Sequence, residues 1–176
     1  AVLTYRDRYE ALLKTSLTDE VTGVQNRAAF EETCRGWAKA PSSDQRPVTL
    51  AMIDVDHFKF LNDELGHLAG DEILCAVGRA LQTHVRAGDG VFRYGGEEFV
   101  VLCHGLSHAE AMELAERLRI AVTHEVEKVN ARRVTVSIGV ASSEPGERDL
   151  RTLLDEADKR LYEAKRLGRD RVEGAR

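Results

Sequence analysis

No stretch of this chain approaches the ~20 consecutive apolar residues that a membrane span requires. The longest apolar runs, such as Val48-Thr49-Leu50-Ala51-Met52-Ile53, have the length of a strand. Cysteine is scarce: Cys34, Cys75 and Cys103 are odd in number, far apart and without a C-x-x-C spacing. That excludes a disulfide framework and a cysteine-built zinc site, and leaves buried, reduced thiols in a cytoplasmic protein as the expectation. A positive excess is missing too, since 25 Lys and Arg stand against 30 Asp and Glu for a formal net charge of −5. This argues against broad nucleic-acid binding, which takes a basic face. It does not argue against a nucleotide, whose phosphates need only a few local cations, a metal or backbone N–H groups. The G-x-x-x-x-G-K-[ST] phosphate loop is absent. His67, His84, His104, His108 and His124 form no ligand cluster, and no internal repeat or low-complexity segment stands out.

What is present is the makings of one globular domain. The 176 residues are 43% hydrophobic and 31% charged, enough to build a core and too apolar for disorder. Val2, Tyr5, Tyr9 and Leu12 form a short stripe at spacings of three, four and three. Two readings of it stay open: the end of a dimerising signalling helix, or a helix packing on its own domain. Asn26 predicts a helix N-cap, with the helix running to about Ala38. A polar loop over 41–47 leads to a buried strand from Val48 to Asp54, then to helices over about 58–65 and 69–85. Strands over 91–94 and 97–103 flank Gly95-Gly96, which suits a tight hairpin with positive φ at both glycines. Ser107 to Glu110 is a capping box opening an amphipathic helix. A strand over 133–141, possessing Gly139 and open to a hairpin partner, precedes a last helix that ends at Gly168 and a short strand near Arg171. Strands alternating with helices imply a layered mixed fold.

The chemistry sits at strand ends. Asp54 and Asp56 close a buried strand, and Glu97 and Glu98 follow the two glycines. Carboxylates gathered there repel unless cations neutralise them, and hard cations such as Mg²⁺ take oxygen ligands and share them with phosphates. Glycines without side chains let a phosphate approach the backbone. The combination points to metal-assisted phosphoryl or nucleotidyl transfer. The alternative on the residues alone is ordinary solvated acidic strand ends, common among thirty carboxylates.

Ordered motifs go further. Arg93-Tyr94-Gly95-Gly96-Glu97-Glu98-Phe99 resembles the signature of the GGDEF family in its GGEEF form. Asp19-Glu20-Val21-Thr22-Gly23-Val24-Gln25-Asn26-Arg27 is similar to the family's opening D-x-L-T-G-L-x-N-R, with Val21 and Val24 replacing leucines. Asp54-Val55-Asp56-His57-Phe58-Lys59, Asn62-Asp63, Gly66 to Asp71, Val136 to Ala141 and Ala164 to Arg169 follow in family order. The resemblance covers about 16–172 and implies an α+β, palm-like nucleotidyl-cyclase fold: a central, mostly antiparallel sheet flanked by helices. The expected division is an N-terminal signalling or linker helix stub over 1–15 and the cyclase domain over 16–176.

The activity implied is that of a diguanylate cyclase, which condenses two GTP into cyclic di-GMP and two pyrophosphates. The resemblance implies Mg²⁺ or Mn²⁺, two per active site, held by Asp54, the Val55 carbonyl and Glu97, with Glu98 assisting charge or proton movement. Asp56 is open to either a helping or a structural role. Asn62 and Asp71 fall on the guanine, whose N–H donors a carboxylate accepts and adenine does not offer. Backbone N–H groups of His57, Phe58 and Lys59 would line the phosphates beside Gly95 and Gly96. Lys165 and Arg169 would grip the β- and γ-phosphates; on the residues alone they are an i, i+4 cationic pair at a helix C-terminus.

Arg86-Ala87-Gly88-Asp89 stands at the spacing of the family's R-x-x-D inhibitory product site, with Arg117 as its second arginine. Arg117 could instead pair with Glu113 on a solvated helix face. Each domain would hold one GTP, so catalysis implies a homodimer. The chain begins at Ala1, and the expectation is a piece of a longer protein with an N-terminal sensor or receiver domain. Its location would be cytoplasmic even if that protein is membrane-anchored, and neither nucleic acid nor a membrane is an expected partner. The competing reading is a catalytically idle cyclic di-GMP receptor acting through Arg86 and Asp89.

Overall fold

A computed structural model describes residues 17–39, 46–147 and 149–174, together with 4–6, 8 and 12. Val2 and Tyr9 of the N-terminal stripe, and most of the expected 1–15 stub, lie outside the described residues. The elements in chain order are α1 (Arg27–Lys39), β1 (Val48–Val55), α2 (Phe58–Leu65), α3 (His67–His84), β2 (Gly90–Arg93), β3 (Glu98–His104), α4 (His108–Glu127), β4 (Val136–Ser142), α5 (Leu150–Arg166) and β5 (Val172–Gly174).

The sheet order is β2-β3-β1-β4-β5. All neighbours are antiparallel except β4 and β5, which run parallel. This is the α+β, mostly antiparallel architecture expected. β1 is buried along its whole length because it is the middle strand with helices on both faces. The two-residue period of a strand divides its side chains between two cores. Ala51, Ile53 and Val55 point to one core, with Ile73 and Val77 of α3 and Leu118 of α4. Val48, Leu50 and Met52 point to the other, with Phe30 of α1 and Leu153 and Leu161 of α5.

Local signals account for the helix starts. The Asn26 side-chain oxygen accepts from the Ala29 amide at 3.0 Å. Ser107 and Glu110 bond reciprocally, amide to side chain at both ends of the box. Asp149 caps α5 by accepting from the amides of Arg151 and Thr152. Such caps satisfy otherwise orphaned donors and are each worth about 1 kcal/mol.

Three expectations are corrected. Neither Gly95 nor Gly96 takes a positive φ. The turn is wider than a two-residue hairpin and closes through the amides of Tyr94 and Gly95, both donating to the Glu98 carbonyl. Gly95 is needed for space, because a Cβ there would collide with the Glu98 carboxylate; beside Gly96 there is open room. The strand expected over 133–141 begins only at Val136, and β4 makes no hairpin: its partners are β1 and the distant β5. Finally, Arg169 is not on the helix that carries Lys165. α5 stops at Arg166, and Gly168, Arg169 and Asp170 have φ of 120°, 63° and 46°.

Candidate active site

The period that divides the core also aims Asp54. It follows Leu50 and Met52 on the face where α5 packs, and it is the last carboxylate before β1 ends. In register it stands opposite Glu98 of β3 on one side and Ser137 of β4 on the other. Directly opposed like charges on one sheet face repel. A cation intervenes: Lys165, near the end of α5, brings its Nζ to 3.1 Å from Asp54 Oδ2.

Glu97 joins the pair from the hairpin, its carbonyl accepting from the Val55 amide at 3.2 Å. Burial, opposed by Lys165, holds the Asp54 carboxyl above its ordinary range. Burial and the Asp54 charge do the same to Glu97 and to Glu98. Burial is the first cause at all three carboxylates and their mutual repulsion adds to it, so a cation placed among them would favour their ionised forms. Among the described residues, no group of three or more His, Cys, Asp or Glu side chains is already gathered around one ion position. The donor set still fits a hard divalent cation: Asp54 and Glu97 carboxylates with a strand carbonyl, all oxygen. Lys165 stands in for that charge at Asp54.

The neighbouring Asp56 is occupied otherwise. It is 4% exposed and accepts from Thr135 Oγ1 at 2.7 Å, Ser137 Oγ at 2.6 Å and the Asp170 amide at 3.1 Å. Of the two roles left open for it, the bonds support the structural one. Next, His57 takes a left-handed backbone, φ 55°, and opens α2 without a side-chain cap. The first amides of α2, at Phe58 and Lys59, have no intrahelical acceptor and lie just after the end of β1 in the chain. Phe58 is buried, whereas His57 and Lys59 are exposed.

Asn62, on α2, has its side-chain oxygen buried without a hydrogen-bond partner. It lies so close over Gly70 that a Cβ there would collide with it. Asp71 is exposed and lines an open cavity of about 740 Å³ with Val21, Leu68 and Cys75. Arg86, Asp89 and Arg117 form a separate group around a cavity of about 210 Å³, shared with Glu110 and Glu113. The Asp89 carboxylate accepts from the Arg86 amide at 2.9 Å. β2 separates this group from the Gly95-Gly96 turn, a span of about 13 Å for four extended residues.

Some contacts were not foreseen. The Arg93 guanidinium donates to both Asp19 oxygens at 3.1 Å and to the Gly96 carbonyl at 2.7 Å. Asp19 also accepts from the Thr22 amide and hydroxyl, so the opening turn and the Gly-Gly turn are joined through one side chain. The D-x-x-T spacing is an Asx-turn signal that could have flagged the first half; nothing local announces the second. Arg27 lies 4.5 Å over the Tyr94 ring.

The family described as "Diguanylate cyclase, GGDEF domain" matches residues 16–171. The chain belongs to this family. The GGDEF domain is 38% identical over 175 residues to diguanylate cyclase DgcP of Pseudomonas aeruginosa, covering 97% of this chain and 26% of that protein. It is 42% identical over 154 residues to diguanylate cyclase DgcM of Escherichia coli, covering 88% and 37%. The chain thus spans only about a quarter to two-fifths of these relatives. The coiled coil and GGDEF domain of DgcB from Caulobacter crescentus, in complex with c-di-GMP, matches the GGDEF domain here with a TM-score of 0.86 at 29% identity. That match covers 97% of this chain and 91% of DgcB's. No helix among the described residues is long and apolar enough to cross a membrane.

Proposed function

We propose that this GGDEF domain is a diguanylate cyclase whose chemistry is carried by Asp54, Glu97 and Glu98 at the β1 end and by Lys165 and Arg169 beyond α5. The observation that carries the reading is the gathering of Asp54, Glu97 and Glu98 at one end of the sheet, with Lys165 3.1 Å from Asp54. Asp54, Glu97 and the Val55 carbonyl would hold Mg²⁺ or Mn²⁺, two ions in the full site. A divalent cation there offsets the triphosphate's charge and favours the alkoxide form of the attacking hydroxyl. Lys165, which lies beside Asp54, and Arg169 would reach the β- and γ-phosphates. The amides of His57, Phe58 and Lys59 and the unencumbered Gly96 line the same phosphates.

Asn62 and Asp71 take the guanine edge. A buried amide oxygen without a partner is costly, and a ligand donor at Asn62 would relieve it. Adenine, lacking the matching donors, would leave these groups unpaired. The reaction forms a bond from a 3′-oxygen to an α-phosphorus and breaks the α–β phosphoanhydride, releasing pyrophosphate. The hydroxyl proton leaves for solvent or a carboxylate, and the raised affinity of Glu98 for a proton supports it in that role. One domain binds one GTP, so the hydroxyl comes from the GTP of a second copy. Arg86, Asp89 and Arg117 would bind the cyclic product and inhibit. The DgcB complex with c-di-GMP supports recognition of that product by this fold. The expected arrangement has an N-terminal sensor or receiver domain controlling the encounter of two copies.

The test is direct. The purified domain is incubated with GTP and Mg²⁺ at low and high protein concentration, and the nucleotides are separated. Cyclic di-GMP formed faster per molecule at high concentration, and lost in Asp54→Asn and Glu97→Gln, supports the cyclase. No product even with an appended dimerising coiled coil overturns it and favours the receptor reading.

A further inference from the structure

The turn that follows α5 is held in a backbone conformation that its residues do not favour. Gly168, Arg169 and Asp170 are three successive residues with positive φ, and two of them carry side chains. Such runs persist only where surrounding contacts over-determine them. Among the described residues, the hydrogen bond that holds Arg169 is from its amide to the Ala164 carbonyl at 3.0 Å. The constraint converges on its neighbour. Asp170 Oδ1 accepts from Arg119 of α4, and Oδ2 accepts from Arg133, before β4, at 3.0 Å. The Asp170 amide donates to Asp56 Oδ2 at 3.1 Å. Arg119 is itself held by a two-pronged bond to Glu116, at 2.9 and 2.6 Å. Asp56 is fixed to β4 through Thr135 and Ser137.

From this we infer that Asp170 is a positioning residue for the triphosphate: it locks the left-handed turn that presents Arg169, and through Asp56 it sets that turn against the β1 end where Asp54 lies. The inference rests on the assignment of Arg169 to the phosphates. Asp56 and Asp170 together join the two halves of the site, the acidic strand end and the basic turn, by a single side chain-to-amide bond. Loss of the Asp170 carboxylate removes the hold of Arg119 and Arg133 and leaves the turn only its backbone bonds, from the Asp170 amide to Asp56 and from the Arg169 amide to Ala164. Arg169 is then less firmly placed, while the guanine side of the site, on α2 and α3, is untouched. The defect is therefore confined to the phosphates.

The experiment measures equilibrium binding of two probes with Mg²⁺. One is 3′-deoxy-GTP, which has the triphosphate but no attacking hydroxyl; the other is GMP, which lacks the β- and γ-phosphates. Asp170→Gly is the primary variant, because glycine accepts φ of 46° without steric cost and folding does not depend on the strain. Its affinity for 3′-deoxy-GTP should fall about tenfold or more, the order of losing one hydrogen bond to a charged group, with GMP unchanged. Asp170→Asn, which tolerates the left-handed region and keeps an acceptor oxygen, should restore binding to within about threefold of the parent. Arg169→Ala separates the two ideas. If it binds 3′-deoxy-GTP as the parent does, the assignment of Arg169 fails. If it weakens binding but Asp170→Gly does not, or if Asp170→Gly weakens both probes equally, the positioning role is overturned.

Discussion

Adding one methyl group at Gly139 should damage both stability and turnover, and the size of the damage can be worked out. Gly139 lies on the β4 face that α5 covers, and a Cβ built there collides with the Ala157 carbonyl oxygen and the Leu161 amide nitrogen and reaches 2.9 Å from the Arg160 carbonyl carbon. All three are backbone atoms in the middle of a helix, so none can turn aside as a side-chain tip would. Carbon atoms pack at about 3.5–4.0 Å, so α5 must retreat by roughly 1 Å along this contact. Overpacking of a filled interior costs typically 1–3 kcal/mol, and a rigid helix backbone belongs at the upper end. At about 2–4 °C per kcal/mol for a domain of this size, Gly139→Ala should lower Tm by about 6–12 °C. The same retreat displaces Lys165 from Asp54, so turnover of GTP should fall further than the folded fraction does. Thermal unfolding and turnover per folded molecule are the assays. Without the clash, Ala in place of Gly would stabilise a strand by about 0.5–1 kcal/mol, so the sign is decisive: a Tm equal to or above the parent's refutes the close packing of α5 on β4.

Two other perturbations test the site from different directions. Burial, and then the charge of Asp54, raise the Glu97 carboxyl above the ordinary glutamate value of 4.5, so the folded state binds that proton more tightly than the unfolded state. The stability this contributes is whole below about pH 4.5 and is lost as pH rises through the raised value; in chelator, denaturant midpoints should therefore decline above pH 4.5, less steeply in Glu97→Gln. An unchanged slope would mean the carboxylate is already neutralised in the apo protein. Asp56→Ala removes the acceptor of three donors, of which the Asp170 amide cannot turn to another partner. At about 1–3 kcal/mol for a buried group left unpaired, it should cost about 3 kcal/mol by chemical denaturation, with Asp56→Asn costing less; a cost below about 0.5 kcal/mol would show that water replaces the carboxylate.

What could be read from the sequence was what short-range physics controls. α2 falls where its apolar spacing predicted, Asn26 and Ser107 cap the helices they announce, and β1 shows the continuous apolar run of a strand covered on both faces. Most of the features that were misread are set by atoms far away in the chain; the Gly-Gly turn is the local exception. Gly95-Gly96 looked like a turn that needs positive φ, but Gly95 is small because Glu98 folds back over it. Lys165 and Arg169 looked like an i, i+4 pair at a helix C-terminus because four residues is helical spacing, although Gly168 marked the helix end; α5 stops at Arg166 and Arg169 lies beyond it. What stops it lies partly in Asp56, Arg119 and Arg133, which secure Asp170 from 114, 51 and 37 residues away. The parallel pairing of β5 with β4, and the link from Arg93 to Asp19 over 74 residues, are of the same kind. The candidate site is built almost wholly of such long-range contacts. Asp54 meets Glu98 across β1 and β3, and Lys165 reaches it from the far end of α5. The family motifs name those residues, but only the fold explains why a lysine belongs beside that aspartate. It offsets the charge that would otherwise drive the carboxylates apart, so the proposed grip on the phosphates and the stability of the carboxylate group would depend on the same side chain.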